Sequence, residues 1–298
     1  MIFLLNIFLS STSQGLLWSL LAIGVFLTYR ILDIADLTTE GSFPLGGAVA
    51  AFTMVRIREG FETDTLLYKL QKVLVPILDI HPAAPSVFAL IFAFIAGALA
   101  GLTSGFLHTK LKIPALLAGI ITMTGLYSIN ARVMGAPNIS LLGTETIFTQ
   151  AQNWGLEKTI SVIVVGVLVV AVVIGLLTLF FKTEAGLATR ATGDNIEMSQ
   201  ANGINTDGMK MIGYMLSNGC IALAGALLVQ NNNFADLNSG IGTIVIGAVL
   251  YRFILACVLE LNVDPTDLKL FSAFILVICL SSPLVQKKLK LSKKGGTR

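Results

Sequence analysis

Long apolar runs separated by short polar stretches dominate the pattern of the chain. The clearest run, TISVIVVGVLVVAVVIGLLTLFF at 159–181, contains no charged residue, and about 20 apolar residues are enough for a helix to cross a bilayer. The pattern therefore predicts an all-α polytopic membrane protein with about eight hydrophobic segments. The other segments are 14–29, 86–107, 113–131, 211–229, 241–259 and 270–286, with 37–55 as a weaker one that contains Glu40.

The composition agrees with a chain whose main solvent is lipid. Only 12% of the residues are charged and the mean hydropathy is +0.83, whereas soluble domains carry about 25% charged residues. The net charge of +3 reflects a basic tail at 287–298, so it indicates a cytoplasmic tail and no nucleic-acid partner. The first thirteen residues lack Lys and Arg, so we expect the N-terminus to be retained.

The cysteines and histidines are scattered singly. Cys220, Cys257 and Cys279 lie in apolar runs, which favours packing over a disulfide or metal role. His81 and His108 have no neighbouring acidic or Cys cluster, so we assign no metal site.

The basic loops predict how the chain threads the membrane. Lys110 and Lys112 place the loop 107–114 in the cytoplasm, and a second polar stretch at 188–205 is placed there too. The loops 56–85 and 132–157 are then outside, as is the N-terminus. Three hydrophobic segments remain between 205 and the basic tail, an odd number. Either one of them is re-entrant or a crossing is absent.

Small residues recur at helical spacing in GALAGLTSG. Gly97, Gly101 and Gly105 are four residues apart, a spacing that lets two helices approach closely in lipid. Ordinary enrichment of Gly in membrane helices is the alternative.

The polar stretch ATRATGDNIEMSQANGIN at 188–205 carries helix-capping signals. Asp194 and Glu197 have the spacing of a capping box, and Gly203 lies where a left-handed C-terminal cap is expected. The spacing predicts a helix of about two turns, 195–202. Such a helix either lies on the membrane surface or docks onto a soluble cytoplasmic partner, and the lack of a wide apolar stripe favours docking.

The run GLATRATGDNIEMSQANGINTDGMKMIGYMLSNGCIALAGALLVQ at 186–230 resembles the coupling-helix region of ABC importer permeases of the ribose and branched-chain amino acid type. ADLTTEGSFPLGGAVAA at 35–51 and HTKLKIPALLAGIITMTGLYSIN at 108–130 resemble two further segments of that superfamily. The sequences of these segments are most similar to those of permeases described as tryptophan/tyrosine transport components.

The resemblance implies one transmembrane permease domain at 1–286, with a coupling helix at about 194–203, in a bacterial cell membrane. It implies a cytoplasmic ABC ATPase that binds ATP and Mg²⁺, an extracellular binding protein that docks on the outer loops, and a second permease copy. No cofactor is expected on this chain, which lacks a Gly-x-x-x-x-Gly-Lys-[Ser/Thr] run and is not expected to be an enzyme. The residues implied in coupling are Asp194, Asn195, Ile196, Glu197, Met198, Gln200, Gly203 and Ile204.

The resemblance also reveals a gap. GIGTIVIG at 240–247 is followed at once by the segment that begins at Leu250, where the subgroup would have another hydrophobic segment. The odd number of segments in this part of the chain points to the same place, near Ala248.

Polar residues inside the apolar segments are candidates for the translocation pathway, because such groups usually face a cavity or another helix. Gly41 and Pro44 predict a break in the second segment that would line a cavity. Glu40 is either a pathway residue or a solvated interfacial one, and Asn218 is more simply a helix-to-helix hydrogen bond. The candidates are Asp36, Glu40, Ser42, Thr122, Thr124, Ser128 and Asn218.

Other functions remain open. Branched-chain amino acids, sugars or nucleosides are alternative solutes to aromatic amino acids. An ion-coupled secondary transporter would need a coupling site in the bilayer and usually two repeated halves, and a membrane enzyme would need a cluster of catalytic groups.

Overall fold

The computed structural model describes residues 2–56, 84–134, 141 and 144–231, with side chains from Phe8 onward. Regular structure in these ranges is helical: α1 Ile2–Phe26 with a π-helical extension Leu27–Ile31, α2 Thr39–Ala51 with a π-helical extension Phe52–Arg56, α3 Ala84–Thr109, α4 Ala115–Met134, α5 Ile147–Asn153, α6 Lys158–Lys182, α7 Glu184–Asp194, α8 Ile196–Ala201 and α9 Thr206–Asn231.

Five of the described helices are long and apolar enough to cross a membrane. They correspond to the predicted segments 14–29, 86–107, 113–131, 159–181 and 211–229, and they run over Phe8–Ile31, Ala84–Thr109, Ala115–Met134, Lys158–Lys182 and Thr206–Asn231. The predicted segments 241–259 and 270–286, the gap near Ala248 and the basic tail 287–298 lie outside the described residues, as do Cys257, Cys279, His81 and most of the loop 56–85.

Helix α9 is the centre of the described bundle. It packs against α1, α2 and α3, and nearly all of its residues from Ser217 to Asn231 are buried. Its sequence explains this position, because the small residues of SNGCIALAGA let three neighbours approach its backbone. Helices α4 and α6 lie at the periphery and expose much of their apolar surface.

The glycine stripe of α3 makes one of these close approaches, as the spacing predicts. A Cβ at Gly97 would overlap the carbonyl oxygen of Asn218, and one at Gly101 would overlap that of Tyr214. Gly105 lies further along the same contact, beside Met211. The prediction of close helix packing is confirmed.

Polar contacts join the loops at each end of the bundle. Asp207, in the first turn of α9, lies 3.8 Å from Lys110 and 3.6 Å from Lys112. At the opposite end, the Gln230 amide donates to the Ser86 carbonyl at 3.1 Å, and the Ser86 hydroxyl donates to the Glu145 carbonyl at 2.8 Å. The loop 107–114 and the polar stretch 188–205 are therefore at one end, with α5 at the other, as the threading requires.

The predicted break in the second segment is wrong. α2 is continuous from Thr39 to Ala51 with Pro44 inside it. Pro44 is exposed and lacks the N–H that would continue the helix hydrogen bonds, and Gly41 serves close packing, since a Cβ there would lie 3.0 Å from the Cα of Met123. The irregular backbone instead lies earlier, at 32–38.

Helix α1 begins twelve residues before the predicted segment 14–29. The polar residues that obscured this part of the helix satisfy themselves within it. The hydroxyl of Thr12 donates to the Phe8 carbonyl and that of Ser13 donates to the Ser10 carbonyl, each at 2.8 Å. Such local bonds allow Ser and Thr to occupy an apolar helix.

Candidate functional site

A buried polar cluster lies where the connection between α1 and α2 meets α9. The Nδ2 amide of Asn218 donates to Oδ2 of Asp36 at 2.8 Å and to the Tyr214 carbonyl at 3.1 Å. Its Oδ1 accepts from the Ser42 hydroxyl at 2.6 Å. Asp36, Ser42 and Asn218 are all buried. Three candidates that are far apart in the sequence therefore form one hydrogen-bonded unit, and Asn218 makes the helix-to-helix bond predicted for it.

The local turn positions Asp36 for this role. Oδ1 of Asp36 accepts the Thr38 N–H at 2.9 Å, which closes the turn that precedes α2. The Thr38 hydroxyl then donates to the Ser104 hydroxyl of α3 at 2.8 Å. The connection is thus held by both α3 and α9. The Thr38–Ser104 pair was not predicted, although each hydroxyl can both donate and accept a hydrogen bond.

The candidates on α4 separate onto two faces. Thr122 is buried and donates to its own helix at the Ala118 carbonyl. On the buried face, the Asn130 amide also donates to the Gly41 carbonyl at 3.3 Å. Thr124 and Ser128, one turn apart, are exposed. The structure therefore does not bring Thr122 together with Thr124 and Ser128.

Glu40 lies apart from the buried cluster. It is exposed in the first turn of α2, where a carboxylate interacts favourably with the helix dipole. Its neighbour Gly41 packs against Met123 and Leu126 of α4. Glu40 therefore borders the surface that α2 and α4 share, not the Asp36–Asn218 unit.

The predicted cap of the short helix in the polar stretch is wrong by one residue. Asn195, not Asp194, is the N-cap of α8, and its Oδ1 accepts the Met198 N–H at 2.9 Å. Asp194 ends α7, an unpredicted helix whose N-cap Thr183 accepts the Gly186 N–H at 3.2 Å. Glu197 is then the second helical residue, one position short of that required by a capping box.

The predicted C-terminal cap of the same helix is confirmed. Gly203 has φ of +80°, its N–H donates to the Gln200 carbonyl at 2.9 Å, and the Ile204 N–H donates to the Ser199 carbonyl at 3.0 Å. This pair of bonds is the Schellman motif. Asn195 and Gly203 together fix both ends of α8.

The polar stretch is anchored on one side and exposed on the other. Ser199 is buried, the Gln200 amide donates to the Thr206 hydroxyl at 3.0 Å, and Gly193 packs on the Ile31 backbone. The exposed part includes two large apolar side chains, Ile196 and Met198, the latter 66% exposed. We call the exposed residues Ile196, Glu197, Met198 and Gln200 the α8 surface.

Sequence comparison identifies the family. Residues 7–280 match the family described as "Branched-chain amino acid transport system / permease component". The chain belongs to this family. It is a multi-pass permease of an ABC-type importer for small solutes, and members of its family are transport components.

Two relatives match nearly the whole length of the permease. It is 33% identical to the "Tyrosine transport system permease protein" of Clostridioides difficile, over 95% of this chain and 93% of the relative. It is 32% identical to the "Uncharacterized protein RP368" of Rickettsia prowazekii, over 93% of this chain and 98% of the relative. A partial match, 28% identical over 57% of this chain and 44% of the relative, is to the "Autoinducer 2 import system permease protein LsrC" of Yersinia enterocolitica. No solved structure matches.

The match to the tyrosine transport permease is longer than this chain. It extends over 308 residues, whereas this chain has 298. The alignment therefore includes positions at which this chain has no residue. Their location near Ala248 stays a prediction.

Proposed function

We propose that the permease is the membrane half of an ATP-driven importer of an aromatic amino acid, in a bacterial cell membrane. The similarity to a tyrosine transport permease over nearly the whole chain supports this solute. The partial similarity to an autoinducer 2 import permease keeps a sugar-like solute as the second candidate.

The α8 surface supports a cytoplasmic ATPase as the energy source for import. A helix of two turns is marginal when isolated in water, yet α8 is capped at both ends by Asn195 and Gly203. The caps present Ile196 and Met198 outward, where water gives them no stabilisation. A groove in a cytoplasmic ATPase that binds ATP and Mg²⁺ would bury both. Asp194 belongs to the preceding helix, α7, and would contribute to the contact with the ATPase from the end of that helix.

The exposed face of α4 supports assembly with a second permease copy. Thr124 and Ser128 are exposed on this membrane helix, and Tyr127 is 80% exposed. Polar groups in a membrane span usually face a cavity or another helix rather than lipid. We therefore assign the pathway to this face, together with Glu40 at its edge. The buried unit of Asp36, Ser42 and Asn218 holds α2 against α9. It thereby supports the pathway without lining it.

The orientation follows from the basic loop. Lys110 and Lys112 lie at the end of the bundle that carries α8, so the positive-inside rule favours this end as the cytoplasmic one. The opposite end, with α5, is then available to an extracellular binding protein.

Reconstitution tests the function directly. The permease would be placed in proteoliposomes with its ATPase and binding protein, and uptake of labelled tyrosine, leucine and ribose would be measured with ATP, with a non-hydrolysable analogue, and with an ionophore present. We expect tyrosine uptake that requires hydrolysis and survives the ionophore. Loss of uptake with the ionophore while ATP is intact would identify a secondary transporter. Uptake of ribose alone would show that the solute is a sugar and not an aromatic amino acid.

A further inference from the structure

A cleft lies between the last turns of α1 and α6, with α7 beneath it. It encloses about 530 Å³. Gly193 of α7 packs on the Ile31 backbone and Gly186 packs on Phe180 and Phe181, so α7 turns back under both helices and closes the cleft on one side.

The walls and rim of the cleft differ in chemistry. The walls are mainly apolar and include Ile23, Phe26, Leu27, Leu177 and Phe181. The rim carries Arg30, Lys182 and Arg190, with Asp194 as its single carboxylate.

The rim is strongly positive. Three cations against one carboxylate leave an excess of two positive charges at neutral pH. None of the three cations forms an ion pair with another residue in the part of the chain that the structure describes. Asp194 is one turn from Arg190 on α7. The cations are therefore available to an anion from outside the described residues.

The charged rim lies at the ends of two candidate membrane-crossing helices. Lys182 ends the charge-free run of α6, and Arg30 lies in the last turn of the membrane-crossing part of α1. A ligand that fits must place apolar chains beside Phe26 and Phe181 and an anionic group at the rim. A soluble anion would gain nothing from these walls, because water already solvates it.

We propose that this cleft binds one anionic phospholipid of the cytoplasmic leaflet. Arg30, Lys182 and Arg190 bind the phosphate by charge-assisted hydrogen bonds, and an acyl chain lies along the apolar walls. Asp194 accepts a hydrogen bond from a headgroup hydroxyl. Basic pockets between membrane helices at this level are suited to such headgroups. The proposal concerns lipid and is independent of the transported solute.

Lipid retention measures the proposed binding. The permease would be purified with its ATPase, exchanged into an equimolar mixture of phosphatidylglycerol and phosphatidylcholine, and examined by native mass spectrometry. We expect preferential retention of one phosphatidylglycerol. Lys182→Gln, Arg190→Gln and Arg30→Gln are each expected to reduce the retention about fivefold, the effect of removing one cation near an anionic lipid.

The chain offers a matched control for these variants. Lys158 begins the same helix that Lys182 ends, so Lys158→Gln removes an equal charge at the other end and should leave retention unchanged. Thermal unfolding of each variant reports whether it is folded, and the three separate substitutions keep the test usable if one of them is not.

Several results would overturn the proposal. The first is equal retention of the two lipids, and the second is a loss of retention with Lys158→Gln equal to that with the rim variants. The third is displacement of the lipid by glycerol phosphate at the concentrations at which glycerol phosphate binds to the lipid-free permease. Retention by the permease alone that disappears on binding of the ATPase would instead make the cleft a protein-docking surface.

Discussion

The side-chain amide of Asn218 donates a 2.8 Å hydrogen bond to the carboxylate of Asp36, which lies 182 residues earlier in the chain. This bond joins the middle of α9 to the turn between α1 and α2. Because the same amide also accepts from Ser42, one side chain satisfies two buried polar groups that come from different parts of the bundle.

Asn218→Ala is expected to destabilise the permease by about 1–3 kcal/mol, the cost of leaving a buried polar group without a partner. Cys220→Ala is the control, since Cys220 is buried two residues along the same helix and is a free cysteine. The midpoint of thermal unfolding in detergent measures both.

Uptake by the same variant separates a structural role from a transport role. If Asn218 supports the bundle only, solute uptake per folded molecule should stay close to that of the wild type. A variant of normal stability with abolished uptake would show that Asn218 contacts the solute.

Gly203→Pro is expected to abolish uptake while the membrane helices still assemble. Proline fixes φ near −65°, whereas Gly203 requires +80°, and proline also removes the N–H that bonds to Gln200. The α8 surface would then lose its shape. Gly203→Asn is the matched control, because Asn tolerates the left-handed conformation.

ATP hydrolysis and uptake, measured together on the reconstituted importer, check the prediction for Gly203. We expect Gly203→Pro to uncouple hydrolysis from uptake and Gly203→Asn to retain coupling. Full transport by Gly203→Pro would exclude the α8 surface as the contact with the ATPase.

Gly101→Ala is expected to cost about 1–3 kcal/mol, as overpacked sites do, because the new Cβ would overlap the Tyr214 carbonyl oxygen and push α3 away from α9. Gly175→Ala, in α6, meets nothing within 4 Å and should be neutral or stabilising by up to about 1 kcal/mol. Denaturation of both variants in the same detergent checks the difference. Equal effects would mean that the α3–α9 contact does not limit stability.

The sequence was sufficient where a single local rule decides the structure. The charge-free run at 159–181 is long enough and apolar enough to predict a membrane helix, and α6 spans Lys158–Lys182. Gly203 and the stripe at Gly97 and Gly101 were predictable for the same reason, since glycine is the residue most favoured at a left-handed cap and at a backbone contact of this kind.

The sequence was not sufficient where two local signals compete or where tertiary contacts decide. Asp194 and Asn195 are both good N-caps, and the preceding helix α7, absent from the prediction, occupies Asp194. The unit formed by Asp36, Ser42 and Asn218 depends on how α2 packs on α9, which no periodicity reveals. The break expected at Pro44 does not occur: α2 is continuous with Pro44 inside it and packs against α3, α4 and α9.

Met198 and Trp154 are expected to lie on opposite sides of the membrane. Met198 is 66% exposed in α8 and Trp154 is 82% exposed after α5, at the other end of the bundle. In a background without the three native cysteines, a membrane-impermeant maleimide added to whole cells should label Trp154→Cys. Met198→Cys should react only after the membrane is made permeable, because the basic loop with Lys110 and Lys112 favours the cytoplasm for its end. Labelling of Met198→Cys from outside would reverse the orientation and remove the α8 surface from reach of any cytoplasmic ATPase.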